Sequence, residues 1–428
     1  MKLVIREMLF REEIDLRSTT YATHGIYPYP AKFIPHVVRY AIQKYSKEGD
    51  IVFDPFAGHG TVAIEASLLG RNAICWDLNP LTEFITRAST FTGDIKISDF
   101  EIDWEYKKAF HPEFSNIMYW YPPEFYNVLS KLWGFWHREI YAPASSDEEI
   151  AKAYIISIPL LRLSKLFSYA DEKVPKLYKS KYAKRKVEIF LSNNWRNVMV
   201  ETYNKFANIC FEKIQEYQYI ATPQLFSNQK TNISVLTSKK FGNKLMVFDT
   251  IRERLGKNVE LLITSPPYLQ SQEYIRTFKL ELAWLGYSTH DIREISKREI
   301  PYNEPSFKTV LSDTYQFYLQ QVKSFEDKKL VNLYERYFYS LVSFFENNHE
   351  FLNTIAVFVG PAKIRNIRIP IDVILKEHLE NRGFSHVETI IDKIVSRRLF
   401  KTVVNPSTKL EDERTPTEHL LVMKKIDK

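Results

Sequence analysis

Glycine, cysteine and long apolar runs are all scarce in this chain, and each shortage narrows what it can be. Only 12 of the 428 residues are glycine, well under the usual ~7%, and no repeat or low-complexity stretch interrupts the sequence. Two cysteines, Cys75 and Cys210, are too few for a disulfide framework or a four-cysteine zinc site, so no metal is expected. No run approaches the ~18 apolar residues of a bilayer span, so the expected protein is soluble, with no membrane partner. The opening stretch MKLVIREMLFREEIDLRS places charges where a secretory signal needs a continuous apolar core; no targeting segment is read there, and the cytoplasm is the expected compartment. What is present is ordinary: 45% hydrophobic and 26% charged residues, on a chain long enough for one large core and a second folded unit.

Charge and glycine are both concentrated. The net charge is +7, and the row KVPKLYKSKYAKRK carries seven cations (Lys173, Lys176, Lys179, Lys181, Lys184, Arg185 and Lys186) without an acid. The rest of the chain therefore sums to about zero. Gly49, Gly58, Gly60 and Gly70 crowd together, which marks a backbone with special demands.

Residues 50 to 53 (DIVF) read as a buried strand, DPFAGHGT as a turn, and TVAIEASLLG as a helix closing on glycine. RNAICWDLNP supplies a second strand ending at Asp77, and a helix near Ile34 to Tyr45 precedes the unit. Strand-like runs return at KLMVFD (244 to 249), VELLITS, NTIAVFVG, HVETII and HLLVMKK. This alternation predicts an α/β fold with a doubly wound, mostly parallel sheet of seven strands. Residues 98 to 238 lack the rhythm and are aromatic, basic and helical in pattern, too long for a loop. They read as an inserted domain between a first half (1 to 97) and a second half (239 to 428), the latter with a helical excursion at 270 to 350.

DPFAGHGT lies at the carboxyl end of a strand, where small ligands bind in α/β sheets. Gly58 and Gly60 permit close backbone approach, the helix from Thr61 offers free N–H groups, and Asp77 ends the next strand, where a carboxylate can accept hydrogen bonds from a ribose diol. Residues 58 to 63 also fit the G-x-G-x-x-G/A dinucleotide fingerprint, but four residues separate the strand from the first glycine, and an acid at the tip suits a cationic ligand better than a pyrophosphate. No Gly-Lys-Ser/Thr follows, which disfavours a nucleoside triphosphate.

The octet resembles the S-adenosylmethionine-binding motif of DNA amino-methyltransferases, Asp-Pro-Phe-x-Gly-x-Gly-Thr, at all six specified positions. HGIYPYPAKFIPHVV (His24 to Val38) is similar to the segment that in this family precedes the motif and closes over the methionine end of the cofactor. The resemblance implies a Rossmann-like class I methyltransferase fold. It also implies that Tyr29, Lys32, Asp54, Pro55, Phe56, Gly58, Gly60, Thr61, Asp77, Asn79 and Asp249 hold S-adenosylmethionine. Asp249, at the end of KLMVFD, would meet the adenine; a surface carboxylate is the competing reading.

VELLIT runs into Ser265-Pro266-Pro267-Tyr268, placing a polar tetrapeptide at another carboxyl end. Methylating an exocyclic amine requires acceptors around a nitrogen that becomes positive, held in line with the methyl group. The Ser265 side chain and the Pro266 carbonyl can supply them, and two prolines stiffen the backbone. Tyr268 can stack on the base, worth ~1–3 kcal/mol against the few kcal/mol of extracting a nucleotide from a duplex. In the resembled family this tetrapeptide is catalytic, with Ser at its first place commoner in cytosine-N4 enzymes and Asp in adenine-N6 enzymes. Tyr121-Pro122-Pro123-Glu124 has no buried strand before it and reads as a helix start. Cytosine C5 methylation needs a Cys nucleophile, usually after proline, but isoleucine precedes both cysteines.

Lys173 to Lys186 interleaves cations with Tyr178 and Tyr182, the composition of a surface tracking phosphates; a solvated helix face is the competing reading. A second set, Lys363, Arg365, Arg368, Arg397, Arg398 and Lys401, reads equally as a cleft flank or as scattered charge. The expectation is a DNA methyltransferase acting on a flipped base, cytosine N4 first, with adenine N6 or an RNA amine as alternatives. A non-catalytic nucleic-acid-binding protein and a dinucleotide oxidoreductase are the different-class readings. Double-stranded DNA is the expected partner, and the resemblance leaves open a cognate restriction endonuclease.

Overall fold

A computed structural model describes residues 4–174, 176–226, 231–242, 244–269, 273–393 and 417–426. The described strands are β1 (Ile5–Glu7), β2 (Ile51–Asp54), β3 (Asn72–Asp77), β4 (Ile233–Thr237), β5 (Lys239–Phe241), β6 (Lys244–Met246), β7 (Val259–Thr264), β8 (Leu352–Val359), β9 (Ala362–Ile364), β10 (Ile367–Ile369), β11 (Phe384–Lys393) and β12 (Thr417–Lys425). Eight of them form one sheet in the order β1-β11-β12-β8-β7-β2-β3-β4, while β5–β6 and β9–β10 are separate hairpins. Within the eight-stranded sheet only β12 runs against its neighbours; the other pairings there are parallel.

Alternate strand residues pack on opposite faces, as the period of two requires. Val52, Leu261, Ile263, Ala356 and Phe358 share a core with Val37, Val38 and Ile42 of helix Pro35–Tyr45 and Val62, Ala63 and Ala66 of helix Thr61–Leu68. Phe53, Leu262, Ile355 and Val357 face the other way, onto Tyr337, Phe338, Leu341 and Phe344 of helix Lys328–Asn348 and Ile374 and Leu375 of helix Ile371–Glu380. Burial on both faces explains why these strands read as continuous apolar runs.

From β2 the chain adds β3 and then β4 on one side, and it next returns to lay β7 against the other side of β2. The order reverses between β2 and β7, so the crevice outside their carboxyl ends is the topological switch point of the sheet. DPFAGHGT leaves one of these two ends and SPPY the other.

The sheet departs from expectation in two places. It has eight strands rather than seven, because β1 adds a parallel edge beside β11. KLMVFD is not one of them: β5 and β6 fold back on each other around Gly242, whose φ of +58° permits the tight turn. Its place is taken by β4, inside the segment read as inserted. β4 is an edge strand whose burial alternates, so the polar residues of TNISVLTS are tolerated on its open face and mask it in the sequence.

Between β3 and β4 the described elements are helical, including Pro123–Phe135, Asp147–Leu166, Lys181–Leu191 and Trp195–Phe226. Pro123 opens its helix, as read from YPPE, and Ser146 and Glu149 form a capping box at the start of Asp147–Leu166. The 270 to 350 excursion divides. Ile275, Phe278 and Trp284 join the core of these helices, whereas helix Lys328–Asn348 covers the sheet. No helix among the described residues is long and apolar enough to cross a membrane.

Candidate active site

The two strand tips are joined by a hydrogen bond. Asp54 ends β2 with 2% of its surface exposed, and its Oδ1 accepts from Thr264 Oγ1 of β7 at 2.7 Å and from the Phe56 N–H at 3.1 Å. Burial pushes its carboxyl up to about 7 against the lowering effect of both bonds. Asp54 and Pro55 thus form the floor that aims the turn.

Above this floor, Phe56, Gly58, Asp77 and Asn79 share one cleft with Ser265 and Pro267. Asp77 binds the glycine turn to the end of β3: its Oδ2 accepts from Gly58 N–H and its Oδ1 from Asn79 N–H, each at 2.7 Å. Burial, the largest influence, raises it to about 6. Tyr29 forms another wall, its ring 4.8 Å from Phe278, and a Cβ on Gly58 would lie 3.3 Å from that ring. Asp249 also lines the cleft, although it follows the β5–β6 hairpin instead of ending a sheet strand. Arg252 and Arg298 approach its Oδ2 at 3.4 and 3.6 Å, and burial raises its carboxyl despite them.

Several expected residues do not line the cleft. Gly60 supports the helix behind it: φ is +82° and a Cβ would sit 2.4 Å from Thr86 Oγ1, so only glycine lets the two helices approach. Thr61 donates to the Phe33 carbonyl at 3.3 Å. Lys32 turns its ammonium to the carbonyls of Thr19 and His24, both at 2.7 Å, fastening the segment that carries Tyr29. Pro266 is buried, and the Tyr268 hydroxyl donates to Glu418 on β12. Tyr274, Ile275, Arg298, Glu299 and Ile300 do line it and were missed; they lie beyond the tetrapeptide in a stretch with no motif. Burial lifts Glu299 to about 7, and its Oε1 accepts from Ile275 N–H at 2.9 Å.

The cleft suits a cationic nucleoside. Aromatic and aliphatic walls (Phe56, Tyr29, Ile251, Ile300) face carboxylates, and the Asn79 amide nitrogen, on a residue only 2% exposed, has no partner and needs an acceptor. These features fit S-adenosylmethionine.

The basic run has mixed partners. Lys173 lies over Tyr182, Lys179 over Tyr119 and Tyr169, and Lys186 bonds Glu172 at 2.8 Å. Among the described residues, Lys176, Lys181, Lys184 and Arg185 have no such aromatic or acidic partner, and Tyr119, Tyr178 and Tyr182 are exposed. In the second set, Arg365 pairs with Asp327, and Arg397, Arg398 and Lys401 lie outside the described residues. Cys75 and Cys210 are fully buried, their thiols pushed up by desolvation.

Residues 12–110 match the DNA methylase family, a span that contains the octet and Asp77. Curated relatives agree. Type II methyltransferase M.MjaII of Methanocaldococcus jannaschii is 36% identical over 80 residues, 19% of this chain and 15% of that protein. Type II methyltransferase M.MvaI of Kocuria varians is 22% identical over 95% of this chain and 92% of its own length. Type II methyltransferase M.BsoBI of Geobacillus stearothermophilus is 24% identical over 65% of this chain and 55% of its own length.

Proposed function

We propose, from the match of residues 12–110 to the DNA methylase family, that the chain methylates the exocyclic amine of a base flipped out of duplex DNA, cytosine N4 in the first place. The observation that carries the reading is the single cleft lined by Phe56, Gly58 and Asp77 from one pair of strand tips and by Ser265 and Pro267 from the next. S-adenosylmethionine, when bound, supplies an electrophilic methyl group on a sulfonium. The protein's part is placement. Asp77 and Asp249 hold the nucleoside, and Tyr29 closes one side. Ser265 Oγ accepts a hydrogen bond from the amine, fixing its lone pair toward the methyl and stabilising the positive charge that grows on nitrogen. Tyr268, anchored by Glu418, stiffens the end of the tetrapeptide. Lys176, Lys181, Lys184 and Arg185 offer phosphate contacts. A covalent C5 route has no nucleophile available, since both thiols are in the core.

The reading is tested by incubating the protein with labelled S-adenosylmethionine and duplex DNA, then digesting to nucleosides. N4-methylcytosine is expected. N6-methyladenine would move the assignment to the alternative base, incorporation into RNA alone would move the substrate class, and C5-methylcytosine or no transfer would refute it.

A further inference from the structure

We propose that Glu299 is the charge-selecting residue of the cleft: together with Asp77 it makes the site distinguish the cationic methyl donor from the neutral-sulfur product left after transfer. The inference rests on the methyltransferase reading and concerns a residue that lies in neither motif. Three carboxylates line the cleft, and their surroundings differ. Asp249 is flanked by two guanidinium groups, Arg252 and Arg298. Asp77 and Glu299 are bonded instead to backbone N–H groups, those of Gly58 and Asn79 for the first and of Ile275 for the second, and among the described residues neither has an ion-pair partner. Arg298 also lines the cleft but pairs with Asp249, and two further carboxylates without a cation of their own are costly unless something supplies the missing charge. The neighbouring Asn79 Nδ2, buried and unpartnered on the same wall, shows separately that the wall is built to be completed by a bound molecule.

S-adenosylmethionine and S-adenosylhomocysteine share adenosine and amino-acid parts and differ in a methyl group and a positive charge on sulfur. Shape alone can sense the methyl; only a charged group can sense the sulfonium at a distance. Glu299 also feels Asp77, which places the two carboxylates in one electrostatic field. Binding the cation relieves both, and loss of the charge on transfer removes that attraction and favours product departure.

The test is equilibrium calorimetry at pH 8 with three probes: S-adenosylmethionine, S-adenosylhomocysteine and sinefungin, in which a protonated amine replaces the methylated sulfur. Glu299→Gln keeps an oxygen for the Ile275 N–H and removes the charge. The expected result is that both cationic probes weaken on the order of tenfold, the scale of one such charge interaction, while the neutral product changes by less than about twofold. Glu299→Asp, which keeps the charge, retains the wild-type ratio. An equal shift for all three probes, or none, would show that Glu299 only caps the Tyr274–Thr277 turn and overturns the proposal, as would loss of the ratio in Glu299→Asp. A wild-type protein that binds none of the three overturns the methyltransferase reading itself.

Discussion

Thr264 and Asp54, 210 positions apart in the chain, meet at 2.7 Å across the switch point of the sheet. The hydroxyl of one strand tip thereby fixes the carboxylate from which the other strand's glycine turn departs. Replacing Thr264 by valine conserves shape and deletes the donor, leaving the Asp54 carboxyl with the Phe56 N–H. A loss of about 1–3 kcal/mol in denaturant unfolding is expected; an unchanged midpoint would show the bond to be unimportant.

Asp54 also gives a pH signature. Its folded value of about 7 lies above the ordinary ~3.9 of an unfolded Asp, so the folded state holds the proton more tightly. This contribution is complete at low pH and is lost as pH rises toward 7. Asp54→Asn has no proton to lose. Its stability relative to wild type should therefore improve by roughly 2–4 kcal/mol between pH 4.5 and 8, and parallel stability curves for the two proteins would contradict the assignment.

Behind the cleft, Glu65 on helix Thr61–Leu68 is fully buried and accepts from His24 Nε2 and Arg39 Nε, both at 2.7 Å, and from the Tyr21 hydroxyl. These bonds hold its carboxyl below the usual range against desolvation. Glu65→Ala strands the Arg39 charge and should cost about 3–5 kcal/mol. Because the same network fixes the segment leading to Tyr29, cofactor affinity should fall as well, which calorimetry on the folded variant would reveal.

Gly60→Ala meets Thr86 at 2.4 Å with φ at +82° and should lose on the order of 1–3 kcal/mol. Adding Thr86→Ala should recover only the steric share, since the backbone strain persists. Full recovery in thermal unfolding would mean that the conformation itself costs nothing.

On DNA, four cations of the basic run (Lys176, Lys181, Lys184 and Arg185) are, among the described residues, without the aromatic or acidic partners that engage the other three. If all four meet phosphates, the slope of log affinity against log salt is about −3.6, and each alanine substitution lowers its magnitude by about 1. A slope unchanged by all four substitutions would return this stretch to a solvated helix face.

The parts of this architecture that were legible in the sequence are those where one residue type has one physical use. The paired glycines, the acids ending β2 and β3, and the apolar runs buried on both faces each announced themselves. Edges and distant supports did not. β4 hides because one face is open to solvent, and KLMVFD imitates a strand because it packs Leu245 and Val247 against the helices while pairing only with its own hairpin. Glu299 carries no local signal, since its position follows from where residues 273 to 300 pass the cleft. Gly60 matches the motif by sequence, and its distance to Thr86 reveals a packing demand that the motif alone does not.

The central claim is that two strand tips divide the labour within one cleft, donor on one side and amine on the other. Its most direct test is single-turnover methyl transfer at saturating S-adenosylmethionine, with cofactor affinity measured on the same samples, for Ser265→Ala and Asp77→Ala. The account predicts that Ser265→Ala keeps cofactor affinity within about threefold and loses transfer by 10²-fold or more, whereas Asp77→Ala loses affinity and recovers much of its transfer at saturation. Equal loss of both properties in both variants would contradict it.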